Sequence, residues 1–223
     1  AVRLGQVHAA CDILGMRQGF NEEHLYKNLA WLSANQKKIE KRLFKARCKR
    51  RPELFLYDVT SSYFEGLQNE LADWGYNRDK KSGKSEVVVG LLCDEGGNPV
   101  SVEVFTGNTR DFDTFSSQVK KAAEEFGCER VTFVGDRGMI KSGQIAELKD
   151  AGFHYITAIT IPQIDKLLKT GVFQMGLFDE KLCEVEYEGV RYILRRNPYR
   201  AEEIASIRKK KRESIEKLFQ KKF

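Results

Sequence analysis

Several things are scarce in this 223-residue chain, and each shortage excludes something. No apolar run approaches the ~20 residues of a membrane-spanning helix. The N-terminal stretch Ala1–Gly5 lacks the basic region and apolar core of a secretory signal. Cysteines are few and scattered (Cys11, Cys48, Cys93, Cys128, Cys183), with no CxxC pair and no Cys/His cluster of zinc spacing. Reduced thiols in a cytoplasmic protein with no membrane association are therefore expected. His8, His24 and His154 stand alone, so histidine metal chemistry has no support. Gly96-Gly97 is not followed by a helix carrying Lys-Ser/Thr, which excludes a phosphate loop of the P-loop type. There is no internal repeat and no low-complexity segment. An initiator Met is also absent, and a fragment of a longer protein is expected.

What is present suits a globular chain with a substantial core: 41% hydrophobic and 31% charged residues. The net charge of +6 is unevenly placed. Nine Lys/Arg stand between Gln36 and Arg51 against the single acid Glu40, and eight between Arg208 and Phe223 against Glu213 and Glu216. Such clusters suit a polyanion, because each cation that meets a phosphate releases a counterion. A solvated helix face is the alternative for either cluster.

The central stretch is Leu54–Gly66. Leu54–Thr60 is rich in β-formers, bounded by Pro52 and Gly66, and reads as a buried strand. Alternation puts Leu54, Leu56, Asp58 and Thr60 on one face and Phe55, Tyr57 and Val59 on the other. A buried carboxylate needs a partner. Asp58 therefore either hydrogen-bonds Thr60, Ser61 or Ser62 at a strand end, or ligates a metal.

Around it, residues 1–51 read as helical. Leu25, Leu29, Leu32, Ile39 and Leu43 form a stripe along His24–Leu43, and Asn21 is the expected N-cap. Gln68–Lys84 reads as a long polar loop mixing aromatics and bases. Val87–Cys93 and Val100–Phe105, joined by Asp94–Pro99, predict a hairpin. Phe112, Phe115, Val119, Ala122 or Ala123, and Phe126 predict a helix ended by Gly127. Asp94, Asp111 and Asp113 are expected to cap turns or helices. A strand over Arg130–Gly135 delivers Asp136. A helix capped by Ser142 and ended by Gly152 follows, then a strand over Phe153–Ile161. Pro162–Arg196 is less regular, apart from a second hairpin pairing Val185–Tyr187 with Arg191–Leu194. Ala201–Phe223 predicts a long basic helix. The order fits an α/β layer on a mixed sheet.

Asp58 within one strand and Asp136 at the end of another converge if those strands are neighbours, and hard oxygen ligands of this kind suit magnesium. Several motifs extend the pattern: Tyr57–Gly66, Gly75-Tyr76-Asn77-Arg78-Asp79-Lys80, Val88–Leu92, Gly97–Val100, Gly107-Asn108-Thr109 and Val134-Gly135-Asp136-Arg137-Gly138-Met139. In this order they resemble the core of bacterial insertion-sequence transposases of the DDE type, from about residue 22 to the C-terminus.

That resemblance implies an RNase H-like fold: a mixed sheet with flanking helices over residues 52–161, a basic helical arm over 1–51, and an insertion region with a small hairpin and a basic helix over 162–223. It implies that Asp58 and Asp136 are catalytic and metal-binding, with two Mg2+ (or Mn2+) ions. It further implies endonucleolytic cleavage and strand transfer at insertion-sequence ends on double-stranded DNA, by a homodimer in a synaptic complex associated with the nucleoid. Arg78, Lys80, Lys81, Lys84, Arg137 and Lys141 are the expected DNA contacts. The family's third acid is a glutamate set between a Tyr, an Arg and a Lys. No glutamate here has that setting: Tyr192 and Arg195 lead to Tyr199, not to an acid. A chain ending before the glutamate is the expectation. The alternatives are a non-catalytic DNA-binding remnant or an RNase H-like nuclease without strand transfer.

Overall fold

The computed structural model describes residues 2–3, 9–16, 19–47, 52–66, 68–75, 83–173, 182–195 and 198–220. The chain forms two compact units, Ala1–Ala158 and Ile159–Phe223. No helix of the described residues is long and apolar enough to cross a membrane.

The first unit holds a five-stranded sheet. Its strands are β1 (Leu54–Phe64), β2 (Ser85–Cys93), β3 (Pro99–Thr106), β4 (Thr132–Val134) and β5 (His154–Ile156), in the order β3-β2-β1-β4-β5. β1, β2 and β3 run antiparallel to one another, while β4 lies parallel to β1 and β5 parallel to β4. This is the mixed sheet of an RNase H-like fold, as expected. β1 runs four residues past Thr60, because Ser61–Phe64 continue the ladder onto Val88–Ser85.

One face of the sheet is covered. Phe55, Tyr57 and Val59 of β1 point there with Val88 and Leu92 of β2 and Phe133 of β4, all buried. Two helices supply the cover, α3 (Asp111–Lys120) through Phe115 and Val119, and α4 (Ser142–Asp150) through Leu148. Phe115 and Phe133 meet edge-on at 5.4 Å, the geometry that ring quadrupoles favour. The expected single helix to Phe126 is instead α3 followed by a π-helical turn at Lys121–Glu125. The widened turn carries Lys121, whose ammonium reaches Glu40 and Ser101.

Before β1, a four-residue helix α1 (Ala10–Ile13) precedes α2 (Glu22–Arg47). Asn21 caps α2 as expected, its Oδ1 accepting the His24 amide at 2.9 Å. The C-terminal half of α2 lies along edge strand β3. Gln36 Nε2 donates to the Val102 carbonyl (2.7 Å) and Glu40 Oε1 accepts the Val102 amide (3.1 Å). Arg47 donates to the Pro99 carbonyl (3.0 Å). Side chains thus occupy backbone groups that would otherwise template another strand. Phe44 completes the dock, stacked on Phe126 at 4.4 Å.

The second unit holds α5 (Ile161–Lys169), the hairpin β6 (Cys183–Tyr187) with β7 (Val190–Leu194), and α6 (Pro198–Gln220). The hairpin was expected, and Glu188 and Gly189 both take positive φ in its two-residue turn. Helix α5 corrects two readings at once: the strand expected to reach Ile161 ends at Ile156, and the next segment is helical. Thr160 and Gln163 form a reciprocal capping box, and Pro162 sits in the first turn, where its missing N–H costs nothing.

Candidate active site

The site is built by the register of β1 and β4. Leu56 lies opposite Val134 in the parallel pair. Asp58 stands two residues beyond Leu56 and Asp136 two residues beyond Val134. Equal steps along parallel neighbours, which lie ~4.8 Å apart, carry Asp136 past the C-terminal end of β4 toward Asp58 in the middle of β1. The ladder holds one residue past β4, since Gly135 N–H donates to the Ile156 carbonyl at 3.2 Å. Asp136 then opens a tight turn. Its carbonyl accepts the amides of Met139 (3.0 Å) and Ile140 (3.1 Å), and both of those side chains are buried. The aspartate therefore leaves a rigid strand end on a pinned turn.

Asp58 differs from its sequence reading. It is exposed, on the sheet face opposite Phe55, Tyr57 and Val59. The alternation was expected, but only one face of β1 is covered, so the burial penalty does not arise. Asp58 also takes a different hydrogen bond from those foreseen: Oδ1 accepts the Val59 amide at 2.8 Å. Leu56, Leu91, Val102, Val104 and Ile156 are also exposed, so Asp58 sits in an apolar open face.

Asp111 is a residue the sequence reading assigned to capping alone. A Cβ placed on Gly138 would lie 3.7 Å from Asp111 Oδ2 and 3.9 Å from Asp136 Oδ2, so the two carboxylates approach one point beside the turn. Buried Tyr57 registers Asp111 and Asp58. Its phenol is pushed up to about 12, chiefly by burial, with further upward contributions from Glu103, Asp111 and Asp58. The available signal for Asp111 was its position just after Gly107-Asn108-Thr109. Asp94 does behave as a turn cap: Oδ1 accepts the amides of Gly96 (3.0 Å) and Asn98 (2.8 Å).

The expected DNA contacts divide. Arg78, Lys80 and Lys81 lie outside the described residues. Lys84 is exposed and bonded to Glu65. Arg137 and Lys141 are exposed, one inside the Asp136 turn and one just after it. Lys141 is the N-cap of α4 and makes no side-chain capping bond. Ser142, expected to cap, is instead the first helical residue. The Lys141 ammonium lies 4.1 Å from the centroid of the Phe112 ring, and the Arg110 guanidinium lies 4.5 Å from the same centroid. Phe112 was expected on the buried helical face, but it is half-buried at the start of α3, under these two cations.

Two exposed carboxylates of hard oxygen character fit a hydrated divalent ion, which keeps several waters and needs few protein ligands. Among the described residues no group of three or more His, Cys, Asp or Glu is placed to hold a metal. Asp58 and Asp136 are two such donors.

The Transposase DDE domain family model matches residues 49–221. The chain belongs to that family. No curated protein matches its sequence. Among solved structures it is similar to a piggyBac transposase synaptic complex with hairpin DNA (13% identity, TM-score 0.39, 54% of this chain and 26% of that one). It is also similar to a Mos1 transposase paired-end complex with the left transposon end (10%, 0.34, 70% and 56%) and to the catalytic domain of Mos1 mariner transposase (14%, 0.30, 69% and 72%). All three likenesses are distant. The chain spans less than two thirds of the length of the first two.

Proposed function

We propose that this chain is the core of a DNA transposase that cuts phosphodiester bonds at the ends of a mobile element and joins them to target DNA. The observation that supports this most directly is the parallel β1–β4 register, with Leu56 opposite Val134, from which Asp58 and Asp136 each stand two residues on. Asp58 and Asp136 would hold the divalent ions, Mg2+ or Mn2+. When bound, such ions activate the attacking oxygen and stabilise the leaving one. The chain's own contribution is placement. The β1–β4 ladder fixes the two carboxylates, the buried Met139 and Ile140 hold the Asp136 turn, and the exposure of both aspartates leaves them open to a strand of DNA. In the same reading residues 52–161 form the catalytic core, flanked by a basic arm and an insertion region, and the working form is a homodimer on double-stranded DNA.

The test is calorimetric titration of Mn2+ into the wild type, Asp58→Asn and Asp136→Asn, each checked for native circular dichroism. Saturable binding that either substitution weakens at least tenfold is expected. Binding unchanged by both substitutions would overturn the assignment. Incubation of the Mn2+-loaded protein with duplex DNA then separates the readings: cleavage lost in both variants supports the transposase, and DNA binding without cleavage selects the non-catalytic remnant.

A further inference from the structure

Two cations meet over one phenylalanine, Phe112, which follows Asp111 in the chain. Arg110 is the N-cap of α3 and Lys141 the N-cap of α4, and neither forms a side-chain capping bond. Ser, Thr, Asp and Asn serve that position well, and a cation there opposes the helix dipole. The two like charges on one ring repel, and the two cation–π contacts offset that repulsion. What local rules leave unexplained is the choice of a cation at both N-caps, and departures of this kind concentrate at functional positions.

The cations are also available. Lys141 makes no ion pair among the described residues. Arg110 engages Asp113 through Nε at 3.0 Å, which leaves the Nη donors of its fork for a second acceptor. The ring that holds them is itself held, because Gln144 of α4 donates to the Phe112 carbonyl at 3.2 Å. Approach is open, since Arg110 and Lys141 are both exposed. The chain links the pair directly to the acids: Phe112 follows Asp111, and Lys141 follows the Asp136–Ile140 turn.

We infer that Arg110 and Lys141, gathered over Phe112, form a clamp for backbone phosphate of the DNA strand that enters the Asp58/Asp136 site. The inference rests on the transposase reading and deepens it. Phe112 acts as an organiser of the two cations, and the specificity of the clamp is for phosphate and not for a base.

The test is fluorescence anisotropy of the full chain with a short labelled duplex, without divalent ions, over a range of salt. Wild type is compared with Arg110→Gln/Lys141→Gln, Phe112→Leu, and Lys120→Gln/Lys149→Gln at the far ends of the same helices. Thermal melts confirm that each variant is folded. Removing two phosphate contacts is expected to reduce the slope of log K against log salt by about 1.8. Lys120→Gln/Lys149→Gln is expected to keep the wild-type slope, and Phe112→Leu to weaken binding several-fold without changing net charge. A wild-type slope in Arg110→Gln/Lys141→Gln, or an equal loss in Lys120→Gln/Lys149→Gln, would overturn the clamp and leave the transposase reading standing. Wild-type binding by Phe112→Leu would remove the ring from it. Failure of the wild type to bind DNA at all would overturn both readings.

Discussion

Glu40 is the residue on which the docking of α2 depends, and its removal has a calculable cost. The side chain is 6% exposed. Oε1 accepts from the Val102 amide (3.1 Å), Ser101 Oγ (3.2 Å) and Gln36 Nε2 (3.0 Å), and Oε2 from Lys121 Nζ (3.2 Å). Glu40→Ala leaves the Lys121 charge in a site where its side chain is 11% exposed, with only Ser101 at 2.7 Å and a distant Glu103 at 4.0 Å. Breaking one side of a buried pair typically costs 3–5 kcal/mol. With a urea m-value of about 2 kcal/mol/M, the unfolding midpoint of the first unit should fall by about 2 M. Near-ultraviolet circular dichroism reads this unit through its packed Phe55, Phe115, Phe133 and Tyr57 rings. Glu40→Leu/Lys121→Met removes both charges and should cost less than Glu40→Ala, about 1–3 kcal/mol, because the Val102 amide and the Ser101 hydroxyl lose partners but no charge is left unpaired. Glu40→Ala should also aggregate on size-exclusion chromatography, since β3 loses the cover on its edge. A midpoint shift below ~0.5 M in Glu40→Ala, or a double variant worse than the single, would refute the reasoning.

Two further outcomes are expected in the core. The raised phenol of Tyr57, at about 12 when folded against an ordinary 10, means the unfolded chain ionises first. Its contribution is complete below pH 10 and is lost as pH rises toward 12, by roughly 2–3 kcal/mol. Tyr57→Phe should remove that part of the alkaline loss, read as the difference between the two proteins in urea unfolding across this window. Gly90→Ala would set a Cβ 2.3 Å from the Tyr57 hydroxyl in β2's covered face, an overpacking worth about 1–3 kcal/mol or more. In Gly90→Ala/Tyr57→Phe the oxygen is gone, so thermal unfolding should show the paired variant recovering a measurable part of the loss.

Much of this fold was legible in the residues. The hairpin at Asp94–Pro99, the Asn21 cap, and the strands carrying Asp58 and Asp136 follow from turn chemistry and alternation, which are local. Helix α5 was missed, although Thr160 and Gln163 wrote its capping box into the sequence; the apolar run before Pro162 was read as strand because periodicity over so few residues does not separate the two. The burial of Asp58 was misjudged for a different reason. Alternation says which residues share a face and nothing about whether that face is covered, which is a property of the assembled sheet.

The same distinction explains why the phosphate clamp could not be read in advance. Arg110, Phe112 and Lys141 are separated in sequence, and each alone looks ordinary: a loop cation, a helix-face aromatic, a surface lysine. Their meeting depends on the starts of α3 and α4 converging, which the Gln144 bond to the Phe112 carbonyl secures. Asp58 and Asp136 stand out through motifs that resemble the family's, while Lys141 is an expected DNA contact whose meeting with Arg110 over Phe112 depends on helix-to-helix packing. The part of the site set by backbone register thus lies within reach of the sequence, and the part set by how side chains of two helices pack requires the structure. Substitutions that disturb α3–α4 packing without touching the sheet should accordingly weaken the hold on DNA while sparing metal binding at the aspartates.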